Sequence, residues 1–458
     1  MSQRGKTEMK LSPSKSLAIS PLDGRYADKI SELSKFVSEY ALIKYRTEVE
    51  IRYLIALSEI GIIKKLNKKN KDFLISIYLK FDINDAERIK ILEDETRHDI
   101  KAVEKYLREE FAKTPLKDIS EMIHFGLTSE DINNIAYRLM LKSAIEAIVL
   151  PTLYEVLEKL NEKAKKYKKI VILGRTHGQP AVPTTFGKEF AVFAVRLEKE
   201  IKLLQKQKLT GKLNGAVGNY NALDFAYPKF SWIKFSKNFV SSFNLEPNLI
   251  TTQINPFEDV ISLFQTLERI NGILLDFDQD VWRYISDGWL KLAFKGNEVG
   301  SSTMPQKVNP IDFENSEGNL TLANGLSQTI NEKLYVSRLQ RDLSNSTIIR
   351  NLGTVLGYSL LGYKSVLTGL SKIDVSLEQI EKDLDEDWSI LSEGLQTYLR
   401  KEGLSDSYFL VMKLTKGKKF NKNTWQKLIN ELSIEKKHKE KLLKLTPKNY
   451  IGLSQKLA

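Results

Sequence analysis

Apolar residues recur at alternating spacings of three and four along two long stretches in the middle of the chain. The first stretch contains Phe186, Phe190, Phe193, Leu197, Ile201 and Leu204, and the second contains Val260, Leu263, Leu267, Ile270, Leu274, Phe277 and Val281. This spacing predicts long amphipathic helices that pack side by side. Pro151 lies inside another helical pattern, where it is expected to kink or divide the helix. Because strand-like alternation is scarce, the chain is predicted to be all-α.

Long helices with continuous apolar stripes need partners that cover those stripes. We expect one chain to supply too few of them, so a central helical bundle would be completed by homo-oligomerisation. The predicted division is a disordered basic extension at 1–16, an N-terminal helical domain at 17–117, a central long-helix bundle at 118–370 and a C-terminal helical domain at 371–458.

Composition narrows the possible chemistry. The 458 residues are 42% hydrophobic and 28% charged, as in ordinary globular proteins, and none is cysteine, which excludes disulfides and thiolate chemistry. None of the four histidines has a partner at metal-ligand spacing, so no metal site is expected. No apolar run approaches the roughly 18–20 residues of a membrane span, and the polar N-terminus lacks the apolar core of a signal peptide. A cytoplasmic protein without a cofactor is predicted.

The formal net charge of +12 raises the possibility of nucleic-acid binding. The excess lysines are concentrated near the C-terminus, at Lys416, Lys418, Lys419, Lys422, Lys436, Lys437, Lys439 and Lys441. Aromatic residues are not interleaved with them as a base-stacking surface requires. A solvated helix face is therefore the favoured interpretation, and anionic small-molecule substrates fit the charge equally well.

The segment 300–310, GSSTMPQKVNP, is the richest in chemistry. Its hydroxyls, the ammonium of Lys307 and the amide of Asn309 could grip a carboxylate, although a surface turn without a role is an equal alternative. The segment 174–180 places His177 between glycines, exposed enough to titrate. Thr128 and Ser129 before two acidic residues resemble a helix N-cap.

Two further histidines favour structural roles. His124 lies in an apolar context that favours a buried, hydrogen-bonded core position. His438 lies in a lysine-rich stretch and is expected to have no catalytic part.

The segment 300–310 resembles the GSSxMPxKxNP signature of the fumarase/aspartase superfamily. Within that superfamily the chain is similar to the bacterial-type adenylosuccinate lyases from about Leu17 onward. The supporting stretches are SPLDGRY (Ser20–Tyr26), TRHDIKAVE (Thr96–Glu104), IHFGLTSEDINN (Ile123–Asn134), LGRTHGQPAVPTTFGKE (Leu173–Glu189), KLNGAVGNYNA (Lys212–Ala222), TTQINP (Thr251–Pro256), NPIDFENSEGNL (Asn309–Leu320) and SRLQRDLSNSTIIRN (Ser337–Asn351).

The resemblance implies an all-α fold of three domains, whose central helices join four subunits, with each active site built from three of them. It implies elimination of fumarate from adenylosuccinate, giving AMP, and from the succinylated imidazole carboxamide nucleotide SAICAR, giving AICAR. Small-molecule nucleotides are then the partners, and neither a nucleic acid, a membrane nor a cofactor is required.

The resemblance also assigns roles. Ser301 would be the base, with its alkoxide stabilised by Lys307, and His177 the general acid, oriented by Glu314; His98 would lie at the acid end of the site. The predicted substrate-binding residues are Arg25, Tyr26, Arg97, Asp99, Thr128, Ser129, Thr176, Gln253, Ser302, Asn309, Asn315, Arg341, Ser346, Thr347 and Arg350.

Two positions depart from the family pattern. Gln306 stands where these lyases usually carry histidine or tyrosine, and Arg97 where the nearest branch often has asparagine. Gln306 favours argininosuccinate lyase as the alternative, whereas the arginine-rich stretch 337–351 suits a phosphate that argininosuccinate lacks. A non-catalytic crystallin-like protein and an RNA-binding helical protein are the alternatives of another class.

Overall fold

The computed structural model describes residues 15–293, 303, 304 and 306–458. The α-helices of this part are α1 (Ser34–Val37), α2 (Glu39–Glu59), α3 (Lys68–Leu79), α4 (Ile83–Thr96), α5 (Asp99–Phe111), α6 (Ser129–Ala144), α7 (Leu150–Lys166), α8 (Phe186–Lys206), α9 (Asn221–Ala226), α10 (Trp232–Ser241), α11 (Glu258–Ser286), α12 (Ile311–Leu334), α13 (Ser344–Ile349), α14 (Leu352–Leu370), α15 (Leu377–Asp385), α16 (Ser392–Lys401), α17 (Ser407–Thr415), α18 (Lys422–Glu431), α19 (Lys436–Leu443) and α20 (Ser454–Leu457). Short 3-10 helices occupy Lys15–Leu17, Ala27–Lys29, Ser31–Leu33, Pro115–Met122 and Trp388–Leu391.

Strands are few and short. The antiparallel pair β1 (Val171–Thr176) and β2 (Gln179–Thr185) forms a hairpin. The parallel pair β3 (Thr210–Gly211) and β4 (Glu246–Pro247) and the antiparallel pair β5 (Leu290–Leu292) and β6 (Ile373–Val375) contribute two or three residues per strand. The all-α prediction is confirmed.

The chain forms two compact units. Of the described residues, the first unit contains those within Met1–Thr152, Ile201–Asn271 and Asn319–Gly362, and the second contains those within Leu153–Glu200, Gly272–Gly318 and Tyr363–Ala458. The division into three domains stays a prediction. Of the extension predicted to be disordered, residues 1–14 lie outside the described residues, while Lys15 and Ser16 begin a 3-10 helix.

The two apolar stripes lie on α8 and α11, as the spacing predicts. Every stripe residue is buried, from Phe186 at 0% exposure to Leu204 at 2% on α8, and from Val260 to Val281 on α11. The premise that these stripes require a second chain was therefore wrong, because the chain buries them itself. Any apolar surface for a further subunit must lie on other faces of the helices.

The predicted interruption near Pro151 is a π-helical turn. Residues Ile145–Val149 form this turn between α6 and α7, and Leu150 N–H donates to Ile145 O, five residues back. The wider turn shifts the hydrogen-bond ladder just before the proline, which has no N–H to contribute. The Thr152 hydroxyl donates to the carbonyl oxygen of Ile148 at 2.9 Å. Helix α7 runs from Leu150 to Lys166, so the helix continues through the proline.

The segment 174–183, which contains His177, is part of a β-structure that the sequence did not predict. It belongs to the β1–β2 hairpin, whose register shifts between Leu173 and Arg175. A Cβ on Gly174 would lie 2.4 Å from the Val182 carbonyl oxygen, so the close approach of the two strands requires glycine there. Sequence periodicity missed the hairpin because its glycine and prolines hide the alternation of the strands.

The C-terminal lysines lie on and between α17, α18 and α19 and are largely solvated. Lys419 pairs with Glu386 and Lys437 with Glu435, both at 2.7 Å, and both lysine side chains are more than two-thirds exposed. This arrangement supports the prediction of a solvated helix face. Among the described residues, no helix combines the length and the apolarity that a bilayer crossing needs.

Candidate active site

A cavity of about 330 Å³, the charged cavity, lies within the first compact unit. It brings together seven of the residues predicted from sequence: Arg97, His98, Asp99, Ser129, Arg341, Ser346 and Arg350. Residues that sequence reasoning did not select complete its polar lining: Arg46, Glu93, Glu130, Asn133, Tyr137, Asp342 and Asn345. Four arginines around one cavity suit an anionic ligand, since the guanidinium fork matches phosphate and carboxylate oxygens.

Arg46 is an almost fully buried cation in the wall of the charged cavity. Its Nη2 donates to Asp99 Oδ2 at 2.5 Å, and its Nε donates to Asn133 Oδ1 at 2.8 Å. Burial by itself would raise the pKa of Asp99, but the Arg46 charge and the Ile100 N–H outweigh it and hold that pKa below its usual range. An ionised carboxylate therefore lies 3.5 Å from His98 Nδ1.

A second ion pair, between Arg341 and Glu130, also lines the charged cavity. Arg341 Nη2 is 3.6 Å from Glu130 Oε2. Burial raises the pKa of Glu130 above its ordinary value, although the Arg341 and Arg138 guanidiniums act to lower it. The Arg341 side chain is about a quarter exposed and lines the charged cavity, so it keeps access to a ligand there while it pairs with Glu130.

Thr128 and Ser129 begin α6, as the N-cap prediction requires. Thr128 N–H donates to Asp131 Oδ2 at 2.9 Å, and Thr128 Oγ1 accepts from Gln253 Nε2 at 3.2 Å. Thr128, Ser129 and Gln253, which were predicted to hold the same part of a substrate, therefore lie together at a helix N-terminus. Such an end favours negative charge because its first N–H groups lack intrahelical partners.

Asp131 anchors this helix start to the loop that follows β3. Its Oδ1 lies 2.9 Å from Lys212 Nζ, with both side chains at 0% exposure, and it accepts from the backbone N–H groups of Asn214 and Gly215. A Cβ on Gly218, at φ +83°, would lie 2.1 Å from the Thr251 carbonyl oxygen, so the loop packs against the segment that carries Gln253. The N-cap segment therefore also holds the start of α6 against the loop that follows β3. Its sequence pattern alone did not reveal this contact.

The second compact unit contains the predicted acid. Thr176 ends β1, and His177 and Gly178 form the two-residue turn to β2, with φ of 53° and 71°. Both positive values fit the turn type that joins tightly paired antiparallel strands. The His177 side chain is exposed, as its sequence context predicted.

The predicted positioning residues of the second unit lie around the start of α12. Glu314, in its first turn, accepts from Trp282 Nε1 at 3.2 Å, and Asn315 Nδ2 donates to Ser365 Oγ at 2.9 Å. Lys307 is exposed and Asn309 is half-buried in the segment before the helix. Ser301 and Ser302 lie outside the described residues.

Arg25, Tyr26 and Thr347 also do not line the charged cavity. Arg25 and Tyr26 lie in the turn before the 3-10 helix at Ala27–Lys29, where the Arg25 guanidinium is 6.0 Å from the Tyr26 ring. Thr347 lies on α13, one residue beyond the cavity-lining Ser346. Arg350, which does line the cavity, donates to Glu39 Oε2 at 3.0 Å.

Two histidines have the structural surroundings that sequence predicted. His124 Nδ1 lies 2.6 Å from Glu50 Oε1, and the two side chains are 10% and 0% exposed. Burial would lower the pKa of His124, but the Glu50 carboxylate outweighs it and raises that pKa. His438 Nδ1 lies 2.7 Å from the Tyr398 hydroxyl, in the C-terminal helices.

A signal for the overlooked Arg46 exists in the sequence. Arg46 and Glu50 fall four residues apart on the apolar stripe of α2, which also contains Ile43, Leu54 and Leu57. Charged residues at core positions are seldom fully buried unless they are paired, so such an interruption of an apolar stripe marks a buried polar network.

Comparisons with known proteins agree with this geometry. The family described as lyase matches residues 24–325, and the family described as adenylosuccinate lyase C-terminal matches residues 337–451. Adenylosuccinate lyase of Escherichia coli strain K12 is 46% identical, over 95% of this chain and 96% of its own length. The chain belongs to the adenylosuccinate lyase family. Other members of that family, from Legionella pneumophila strain Corby and Buchnera aphidicola of Acyrthosiphon pisum, are 46% and 45% identical over 96% of this chain and 97% of their own.

Solved structures share the fold at much lower sequence identity. A fumarate lyase from Mesorhizobium sp. BNC1 has a TM-score of 0.74 at 18% identity, covering 94% of this chain and 96% of that one. A β-carboxy-cis,cis-muconate cycloisomerase from Acinetobacter calcoaceticus sp. ADP1 has a TM-score of 0.71 at 17% identity, over 94% and 98%. The adenylosuccinate lyase family therefore shares this helical scaffold with proteins of other names.

Proposed function

We propose that the chain eliminates fumarate from adenylosuccinate, giving AMP, and from SAICAR, giving AICAR. The observation that carries the proposal is the charged cavity, in which Arg97, Arg341 and Arg350 lie close to the N-terminus of α6. These groups offer guanidinium forks for a phosphate and helix N–H groups for a carboxylate, and both substrates contain both anions. Near-full-length similarity to adenylosuccinate lyases supports the same reaction.

The elimination needs a base and an acid on opposite faces of the substrate. Ser301, as an alkoxide stabilised by Lys307 and backbone N–H groups, removes the proton from the carbon next to a carboxylate. The negative charge that develops on the substrate is held as an aci-carboxylate. The carbon–nitrogen bond then breaks, and His177 protonates the departing nitrogen. Every proton goes to or comes from a side chain, so the reaction as proposed uses no metal and no redox cofactor.

The binding roles follow from the same proposal. Thr128, Ser129, Gln253 and Asn309 hold the succinyl carboxylates, and Thr176 helps to orient them. The remaining predicted residues hold the nucleotide: Arg25, Tyr26, Arg97, Asp99, Arg341, Ser346, Thr347 and Arg350. The lining of the charged cavity supports the grouping of Arg97, Asp99, Arg341, Ser346 and Arg350. The hydrogen bond between Gln253 and Thr128 supports the grouping of the residues that hold the succinyl carboxylates.

We further propose a cytoplasmic homotetramer whose active sites combine segments of three subunits. Support comes from apolar side chains that remain exposed on the long helices although the main stripes are buried. Val195 and Leu203 on α8 and Leu322 on α12 are each about half exposed. Contiguous exposed apolar patches mark interaction surfaces, so the proposed tetramer would bury these side chains between subunits.

The test is fumarate release from adenylosuccinate by the purified protein without added metal, followed through the absorbance of the purine. Ser301→Ala and His177→Ala are each expected to lower kcat at least about 100-fold, since each removes one proton-transfer group. His438→Gln is the matched control for the loss of a histidine and is expected to leave kcat within about twofold.

Two results would contradict the proposal. A folded wild type that releases no fumarate excludes the function, and argininosuccinate then becomes the substrate to assay. Full activity of Ser301→Ala retains the reaction but removes its proposed base. Size-exclusion chromatography with light scattering measures the tetramer separately.

A further inference from the structure

The first compact unit contains a second and larger cavity, of about 590 Å³, which we call the apolar cavity. Its three walls are the C-terminal half of α2, the helix α3, and α10 with the residues that flank it. None of its lining residues lines the charged cavity. The proposed lyase reaction therefore assigns it no role.

Aromatic and aliphatic side chains form the walls. Phe235 and Phe239 on α10 stack with their ring centroids 6.1 Å apart, and Ile55 and Ile75 face the same space from α2 and α3. A volume of this size is in the range of pockets that hold a drug-sized molecule, and flat apolar ligands gain most against such rings.

A buried tyrosine holds the two phenylalanine rings of the aromatic wall in place. Tyr53, which is fully buried, packs edge-on against Phe235 and Phe239 with centroid distances of 6.0 and 5.7 Å. Its hydroxyl donates to the Phe125 carbonyl oxygen at 2.9 Å. Because both rings are held by a buried, hydrogen-bonded neighbour, the wall is preformed and does not need to be ordered by a ligand.

Three charged residues lie at the rim of the apolar cavity, and they differ in whether another side chain neutralises their charge. Arg52 is engaged by Glu48 at 3.1 Å and by the Ser242 carbonyl oxygen at 2.7 Å, and Glu59 is engaged by Lys71 at 2.9 Å. Lys234 has no ion pair in the part of the chain that the structure describes. The uncompensated charge facing the cavity is therefore positive.

We propose that the apolar cavity binds a small organic anion with a flat apolar body and one carboxylate or sulfonate group. The body lies between α3 and the Phe235–Phe239 wall, and the anionic group pairs with Lys234. This site shares no lining residue with the proposed substrate site, so the binding proposal can be tested independently of the lyase reaction.

The test uses 8-anilinonaphthalene-1-sulfonate as the probe, titrated into the full-length protein by fluorescence and by calorimetry. We expect one saturable site per chain with a dissociation constant on the order of 10 μM. Ala56→Trp, which fills the cavity from α2, is expected to weaken binding at least about tenfold. Ile91→Trp, at a half-exposed position on α4 outside the cavity, is the matched control and is expected to bind as the wild type does.

A second pair of variants tests the charge and does not touch the walls. Lys234→Glu is expected to weaken binding about five- to tenfold, because it replaces attraction by repulsion at the rim. Lys237→Glu, an exposed lysine on the same helix that does not line the cavity, is expected to change binding less than about twofold. All four variants are expected to keep wild-type lyase activity, which reports that they fold.

Three results would overturn the proposal: wild-type protein that shows no saturable binding, folded Ala56→Trp that binds as tightly as wild type, or equal effects of Lys234→Glu and Lys237→Glu. Displacement of the probe by AMP would place it in the charged cavity and would also overturn the proposal. Binding that survives AMP and is lost in Ala56→Trp supports it.

Discussion

Helix α2 contributes to two cavities, and the cavities differ in where they place their charges. Toward its N-terminal half, Arg46 lines the charged cavity at 2% exposure and is paired with Asp99. Six residues further on, Arg52 lines the apolar cavity with about a quarter of its side chain exposed, and its partner Glu48 is 19% exposed. An arginine therefore belongs to a buried hydrogen-bond network in the charged cavity, and another arginine lies at the rim of the apolar cavity.

This difference has an energetic consequence. Breaking a buried ion pair leaves the surviving charge without either water or a partner, whereas breaking an exposed pair returns both groups to water. The charged cavity should consequently be sensitive to single charge removals, and the apolar cavity should be sensitive to changes of shape. The predictions below test that contrast, beginning with the largest effect.

Arg46→Met is expected to lower the free energy of unfolding by about 3 kcal/mol or more, because the Asp99 carboxylate loses its buried cation. Arg52→Met is the matched substitution on the same helix and is expected to cost about 1 kcal/mol or less. Urea unfolding at one protein concentration measures both. Equal losses for the two variants would contradict the contrast between a buried network and a rim.

Arg341→Gln is expected to raise KM for adenylosuccinate about 10- to 100-fold, because it removes a charge-assisted contact to the substrate while leaving the scaffold in place. Arg338→Gln is the control three residues earlier, where the side chain is 80% exposed and does not line the charged cavity. Steady-state kinetics with circular dichroism distinguishes binding from folding. A normal KM for a folded Arg341→Gln would remove this arginine from the proposed site.

The sequence predicted the long helices well because their signal is local. The stripes of α8 and α11 repeat every three or four residues, and burial follows that repeat. The same information could not reveal what covers the stripes, since partners far along the chain decide this. That is why the inference that these stripes need a second chain was wrong.

The predicted residues that line the charged cavity all come from contiguous motifs, although Glu130, Asp342 and Asn345 lie in such motifs and were missed. Arg97, His98 and Asp99 adjoin one another, and the charged cavity contains all three. Arg46 and Asn133 belong to separate helices, and only the fold brings the Arg46 Nε to the Asn133 side chain. The apolar cavity was missed altogether, because apolar residues that line a cavity follow the same sequence pattern as those of a solid core.

The smallest effect is expected from the pH dependence of the Asp99 pair. The pKa of Asp99 is lower in the folded chain than in the unfolded chain, where it is about 3.9. Its stabilising contribution is therefore present above that pH and is lost as the pH falls through the folded value. Asp99→Asn is expected to cost about 1 to 2 kcal/mol at pH 7, less than Arg46→Met, because the asparagine side-chain oxygen can still accept a hydrogen bond from the buried guanidinium. The difference from wild type should shrink below about pH 4.

Glu59→Gln supplies the matched control, because its pair with Lys71 at the rim of the apolar cavity leaves Glu59 58% exposed. It is expected to change the free energy of unfolding by less than about 0.5 kcal/mol at pH 7. It should also leave KM for adenylosuccinate unchanged, because no lining residue is shared by the two cavities. A raised KM in Glu59→Gln would mean that α2 transmits a change from one cavity to the other. The two halves of the helix would then act as one element, and a ligand in the apolar cavity would be expected to alter substrate binding.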